Sequence, residues 1–363
     1  MHIKQLQLKN FRNYEAYQID LIKGLNFIVG RNAVGKTNIL EAIYFLENGK
    51  SHRTSVNQEL IKWNEDFSYI KASVERKERE VLIEAVIFRT GGRQIKVNGV
   101  EIKKIKVLEK PVLTVIFTPD HLKIVKEEPE YRRAYLDEVL GKTKVDYNYW
   151  RSQYLKILRQ RNMLLKKVYI GNMRADIIDY WDRQLAGAGA KVIMARQGII
   201  KKLEGYANES YEKIAGIKTG LSLTYESQVS PEGEDIETLK EKFLTELTKK
   251  RKAEVERGQT LVGPHRDDVG IYVDRVDLRK YGSQGEQRSA SLALKTAEFL
   301  IIAELTKDHP VMLLDDVMSE LDYSRREAFL NQIGTETQAI ITSTQVEYLK
   351  EMGLLHTNII RIT

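Results

Sequence analysis

Gly30-Arg31-Asn32-Ala33-Val34-Gly35-Lys36-Thr37 has the spacing of a P-loop, and that motif dictates what must surround it. A P-loop works only between a strand and a helix. Leu25-Asn26-Phe27-Ile28-Val29 ahead of it reads as a buried strand. Asn38-Ile39-Leu40-Glu41-Ala42-Ile43-Tyr44-Phe45-Leu46 behind it carries apolar residues at helical spacing. The two glycines free backbone N–H groups to turn toward phosphates, and the helix start adds its partial positive charge. Gly30, Arg31, Asn32, Ala33, Val34, Gly35, Lys36, Thr37 and Asn38 are therefore the candidate nucleotide contacts. Within them, Lys36 is positioned to reach the β- and γ-phosphates and the Thr37 hydroxyl to ligate Mg²⁺.

Composition excludes several other classes. The 363 residues contain no cysteine, which rules out a disulfide framework and a thiolate metal site. No apolar run approaches the ~18 residues that span a membrane. The first residues alternate like a strand rather than a signal peptide, so a cytoplasmic protein is expected. The net charge of +7 favours an anionic partner, though weakly by itself.

The chain divides by texture at about residues 118 and 307. Residues 1–118 read as strands around the P-loop helix. They include a hairpin through Asn98-Gly99 and a buried strand over Pro111–Phe117. Residues 119–307 read as a helical second lobe. There Trp150, Tyr154, Ile157, Leu164 and Val168 form a stripe broken by Arg161. Trp181, Leu185, Ala188, Val192, Ala195 and Ile199 resume it after a short turn, which predicts two antiparallel helices. The first would extend ~36 Å, a short arm rather than a long coiled coil. Ser230 to Asp235 is an acidic loop, and Lys249-Lys250-Arg251-Lys252 reads as a solvated helix face. Residues 308–363 return to α/β texture, with strands over Val311–Asp316, Thr337–Ser343 and Asn358–Thr363. The expected fold is α/β with a mainly parallel sheet, ligands binding at the C-terminal ends of its strands.

Val311-Met312-Leu313-Leu314-Asp315-Asp316 ends an apolar strand in two acids, as a Walker B segment does. Asp315 is suited to hold Mg²⁺ and Asp316 to orient or deprotonate an attacking water. Tyr281-Gly282-Ser283-Gln284-Gly285-Glu286-Gln287-Arg288 precedes a helix expected from Ser289, so Ser283 and Gly285 are candidates for a second phosphate-binding helix start. Ser-x-Gly-x-Gln, a helix, the acid-ended strand and Ser319-Glu320-Leu321-Asp322 together resemble the signature motif, Walker B and D-loop of ABC-type ATPases.

Over nearly its whole length the chain resembles more closely the RecF family of bacterial recombination mediators, relatives of SMC heads. The resemblance is carried by Asn10-Phe11-Arg12-Asn13-Tyr14, by Gly35 through Ile43, and by Ser51-His52-Arg53-Thr54, which is similar to the SMC arginine loop. Pro119-Asp120, Pro129 with Arg132 to Asp137, and Gly263-Pro264-His265-Arg266-Asp267-Asp268 extend it. Glu127 and Glu128 depart from the small residues of the pattern. The resemblance implies an ABC-type ATPase head with a helical second lobe and a short antiparallel arm. It implies ATP and Mg²⁺ as cofactors, and Arg12 and Asn13 as further nucleotide contacts. A homodimer formed with ATP, Ser283 serving the partner's nucleotide, DNA binding, and partnership with RecR and possibly RecO are also implied; the basic excess and the absence of a base-reading motif predict little sequence preference on DNA. Asp316 where transporters carry Glu, and Thr344 and Gln345 where they carry a switch histidine, imply slow hydrolysis with these residues as catalytic candidates. A transporter's nucleotide-binding subunit and a clamp protein that binds ATP without hydrolysis are the competing readings. A GTPase is remote, since no Asn-Lys-x-Asp segment is present.

Overall fold

A computed structural model describes residues 1–102, 110–174, 176–229, 233, 235–334, 337–344 and 357–363. Lys103, Lys104 and Lys106, a basic run that follows the hairpin in sequence, lie outside the described residues. So do most of the acidic loop and Gln345. The chain forms two units. The first gathers Met1–Leu122, Glu209–Lys218 and Ser291–Thr363, and the second Lys123–Asn208 and Thr219–Ala290.

The first unit starts with β1 (His2–Phe11), β2 (Tyr14–Asp20), β3 (Leu25–Val29), α1 (Lys36–Asn48), β4 (Phe67–Arg76), β5 (Arg79–Phe88), β6 (Arg93–Val97), β7 (Val100–Glu101) and β8 (Thr114–Phe117). One antiparallel sheet runs β2-β1-β4-β5-β6-β7, closed at Asn98-Gly99 by the expected hairpin. In β4, Ser68, Ile70, Ala72 and Val74 are buried and the residues between them are not, the period of a sheet with one covered face.

The second unit holds α2 (Lys123–Lys126), α3 (Pro129–Thr143), α4 (Tyr147–Tyr169), most of α5 (Ile177–Ala215), β9 (Leu221–Glu226), α6 (Ile236–Arg257), β10 (Asp268–Val273), β11 (Val276–Asp277), α7 (Leu278–Tyr281) and the start of α8 (Gln284–Thr306). The chain then returns to the first unit with β12 (Val311–Asp315), α9 (Tyr323–Ile333), β13 (Ala339–Ser343) and β14 (Thr357–Arg361). These build a parallel sheet of order β14-β3-β13-β12-β8, so the acid-ended strand lies two places from the P-loop strand.

Helix α1 explains why the first unit coheres. Ile39, Leu40, Ala42, Ile43, Phe45 and Leu46 share one core with Leu6, Ile70 and Ile83 of the antiparallel sheet and Ile28, Ile116 and Leu313 of the parallel one. A helix buried on all sides buries its charges too, and these must be paired. Glu41 pairs with Arg12. Glu47 accepts from Lys110 at 3.1 Å and from the Thr114 N–H at 2.9 Å.

In the second unit α4 and α5 are antiparallel, as the two stripes predict. Lys191 lies over the Trp150 ring, Gly189 against Tyr154, and Asp182 on Arg161, so numbers fall along one helix as they rise along the other. Arg161, the break in the stripe, is fully buried. It donates to Asp182 at 2.6 Å, Glu254 at 2.6 Å and Thr260 at 2.7 Å, which links α4 to α5 and to α6. The basic run in α6 splits: Lys249, Lys250 and Lys252 are exposed, whereas Arg251 pairs with Asp179 and Asp182.

Candidate active site

The P-loop takes its shape from close approaches. A Cβ on Gly30 would stand 2.5 Å from the Ile362 carbonyl oxygen. Gly35 has φ of 111° and lies against Asn13 and Tyr14, so neither position accepts a side chain. Asn13 donates to the Val34 carbonyl at 2.9 Å and accepts from Asn38 at 2.8 Å, tying the loop to the first turn of α1. Lys36 is buried. Its ammonium donates to the Gly30 and Arg31 carbonyls at 2.7 and 2.8 Å. Burial lowers its pKa, and the Asp316 and Asp315 carboxylates work in the opposite direction.

The parallel sheet brings the two acids to this loop. The Thr37 hydroxyl donates to Asp315 Oδ1 at 2.8 Å, and the Thr342 hydroxyl donates to the same oxygen at 2.8 Å. Thr342 Oγ1 also accepts the Asp316 N–H at 2.9 Å. Asp316 leaves the strand in a left-handed conformation, φ 52°, with its Oδ1 buried and without a hydrogen bond. Strained backbone at a strand end, with a carboxylate oxygen left unsatisfied, is a common mark of a reacting centre.

Behind α1, Arg12 gives Nε and Nη2 to Glu41 at 2.9 and 2.6 Å, and Nη1 to the Glu59 carbonyl. Glu41 also accepts from the Ser51 hydroxyl and from Arg53, whose Nη1 reaches Asn38 at 3.0 Å as well. Burial pushes the Glu41 carboxyl up, but the hydrogen bonds of Arg12 and Ser51 outweigh it and hold it below the ordinary range.

The residues fit a nucleotide with Mg²⁺. Thr37 and Asp315 present adjacent hard oxygens. Hard oxygen donors of this kind suit Mg²⁺.

Ser283 and Gly285 belong to the second unit. Helix α8 begins at Gln284, five residues before the expected Ser289, because Ser283-x-x-Glu286 closes a capping box. The Ser283 N–H and hydroxyl donate to Glu286 at 2.8 and 2.7 Å, and the Glu286 N–H returns to Ser283 at 3.3 Å. Those bonds hold the Glu286 carboxyl below its ordinary range. Gly285 therefore sits inside the first turn. Thr344 is exposed just beyond β13.

The chain matches the family model described as RecF/RecN/SMC N terminal domain over residues 2–363. It is 43% identical over 351 residues to the DNA replication and repair protein RecF of Clostridium tetani, covering 97% of this chain and 95% of that one. This chain belongs to the RecF family. Two solved structures of the recombination mediator RecF in the RecFOR pathway, one with ATPrS and one with ATP, are each 36% identical to it. They superpose with TM-scores of 0.89 and 0.86, covering 96% and 94% of this chain and 93% and 92% of theirs. The fold is the ABC-type ATPase head of that family, which removes the transporter reading.

Sequence reasoning passed over two residues. Glu41 is a charge buried in an apolar helix, and Thr342 a hydroxyl in a buried strand beside the acid-ended one. Each had to find a partner on burial. Thr342→Val should leave Asp315 held by Thr37 alone and slow ATP turnover about tenfold, the scale of one lost buried hydrogen bond. Steady-state phosphate release checks this.

Proposed function

We propose that the chain is an ATP-dependent DNA-binding recombination mediator acting in cytoplasmic gap repair and replication restart, which dimerises on ATP and releases on slow hydrolysis. The carrying observation is the meeting of a full P-loop with Asp315 and Asp316 in a chain that matches RecF along its length. Thr37 and Asp315 would hold Mg²⁺, which would neutralise phosphate charge. Lys36 and the loop amides would hold the phosphates, with Asp316 working on the attacking water. Thr344 and Gln345, standing after β13, are the other residues proposed to act there. Arg12 and Asn13 are proposed to serve the nucleotide from the strand side, Asn13 through the loop backbone that it braces. Ser283 and Gly285 would serve the nucleotide of a second copy. The RecFOR pathway of the solved relatives suggests RecR and RecO as partners.

The net charge of +7 and the absence of a base-reading motif support DNA contacts made mainly to phosphates. Duplex affinity should then fall with salt, with a log–log slope of about −0.9 per neutralised phosphate, and should vary little between sequences. Fluorescence anisotropy with ATP present measures this. A flat salt titration would contradict it.

A further inference from the structure

Helices α3, α4 and α5 and the turn before β10 enclose a cleft of ≈ 250 Å³ in the second unit. The turn is built from Gly263-Pro264-His265-Arg266-Asp267-Asp268, to which no role in nucleotide binding is assigned above. Its carbonyls are committed inward: Pro264 accepts from Arg196 at 2.6 Å and Asp267 from Arg133 at 2.8 Å. His265 faces the Thr260 carbonyl with Nε2 at 3.1 Å, so Nε2 carries the hydrogen and Nδ1 accepts from the Tyr154 hydroxyl at 2.6 Å. Burial pushes His265 down to about 4, so the ring is neutral at pH 7.

The charge in the cleft therefore comes from arginines. Arg133, Arg151 and Arg196 line it, against the carboxylates of Asp137 and Glu130. Asp137 is already shared, accepting from Arg151 Nε at 2.6 Å, Arg196 Nη2 at 2.7 Å and the Tyr147 hydroxyl. Among the described residues, Arg133 donates a hydrogen bond only to the Asp267 carbonyl, and the two terminal nitrogens of Arg151 donate none. Burial, then the neighbouring Arg196 cation, lower the Arg133 pKa, with nearby acids offsetting part of the effect. Unused guanidinium nitrogens in a half-buried recess fit a carboxylate or phosphate in a fork geometry.

Two features choose between them. Ala134, Leu155 and Val192 give the cleft an apolar wall. Glu130 and Asp137 in the lining offset part of the arginine charge, which favours the single charge of a carboxylate over a chain of phosphates. We infer that this cleft is a docking site for a protein partner, taking an acidic side chain flanked by an apolar one.

The absence of cysteine supplies the test. Ala134→Cys, at the exposed rim, places a lone thiol there, and Ser152→Cys on exposed α4 surface is the control. The carboxylate-bearing disulfide reagent dithiobis-nitrobenzoate should react faster than neutral dithiodipyridine by a ratio about tenfold larger at the Ala134→Cys thiol than at the control. Adding Arg133→Gln and Arg151→Gln should return the ratio to the control value, with ATP affinity unchanged as evidence of folding. An acetylated peptide alternating leucine and glutamate should protect the Ala134→Cys thiol, and oligothymidylate should not. Equal ratios at both thiols, no effect of the glutamines, or no protection by the peptide would overturn the inference. Protection by oligothymidylate alone would assign the cleft to nucleic acid instead.

Discussion

Asp316→Asn is expected to slow ATP hydrolysis by about 10²–10⁴-fold, the range of a lost general base, while ATP affinity stays within about twofold. Asparagine keeps the shape of the side chain and is tolerated in the left-handed conformation of residue 316. The Asp316 N–H stays bonded to Thr342, and Asp315 stays bonded to Thr37. What is lost is one proton-accepting oxygen of a carboxylate whose Oδ1 is buried without a partner. Single-turnover phosphate release against ATP binding by calorimetry separates the two effects. A wild-type rate would transfer the role to the segment after β13, where Thr344 stands.

Lys36→Ala is expected to weaken ATP binding by about a hundredfold, the worth of one to two hydrogen bonds to a charged group. The ammonium rests on the Gly30 and Arg31 carbonyls, already turned into the loop, so little ordering remains to be done when a phosphate arrives. Calorimetry gives the affinity and circular dichroism the fold. Unchanged affinity in a folded variant would remove Lys36 from the site.

The parts of the site legible from sequence are those whose chemistry is local. A phosphate loop must be contiguous, so Gly30 to Thr37 stood out, and an acid pair ending an apolar strand marks itself. The rest depends on pairings across the chain. Thr342 meets Asp315 because β13 and β12 are neighbours in parallel register, and Glu41 meets Arg12 because α1 packs against β1. Neither pairing has a sequence spacing to betray it. Arg161 was visible only as an interruption, although its buried hydrogen bonds tie α4 to α5 and α6. The early start of α8 was legible in principle: Ser283-x-x-Glu286 is a helix-start signal, but the glycines around it read as loop.

Nucleotide state is proposed to govern the pairing of two copies. Light scattering of the wild-type chain in ATP and in ADP tests it most directly. A doubling of the 42.0 kDa mass is expected with ATP and Mg²⁺, a single chain with ADP, and a Ser283→Arg variant that binds ATP yet stays single. Equal mass in both nucleotides, or a Ser283→Arg variant that still pairs with ATP, would contradict it.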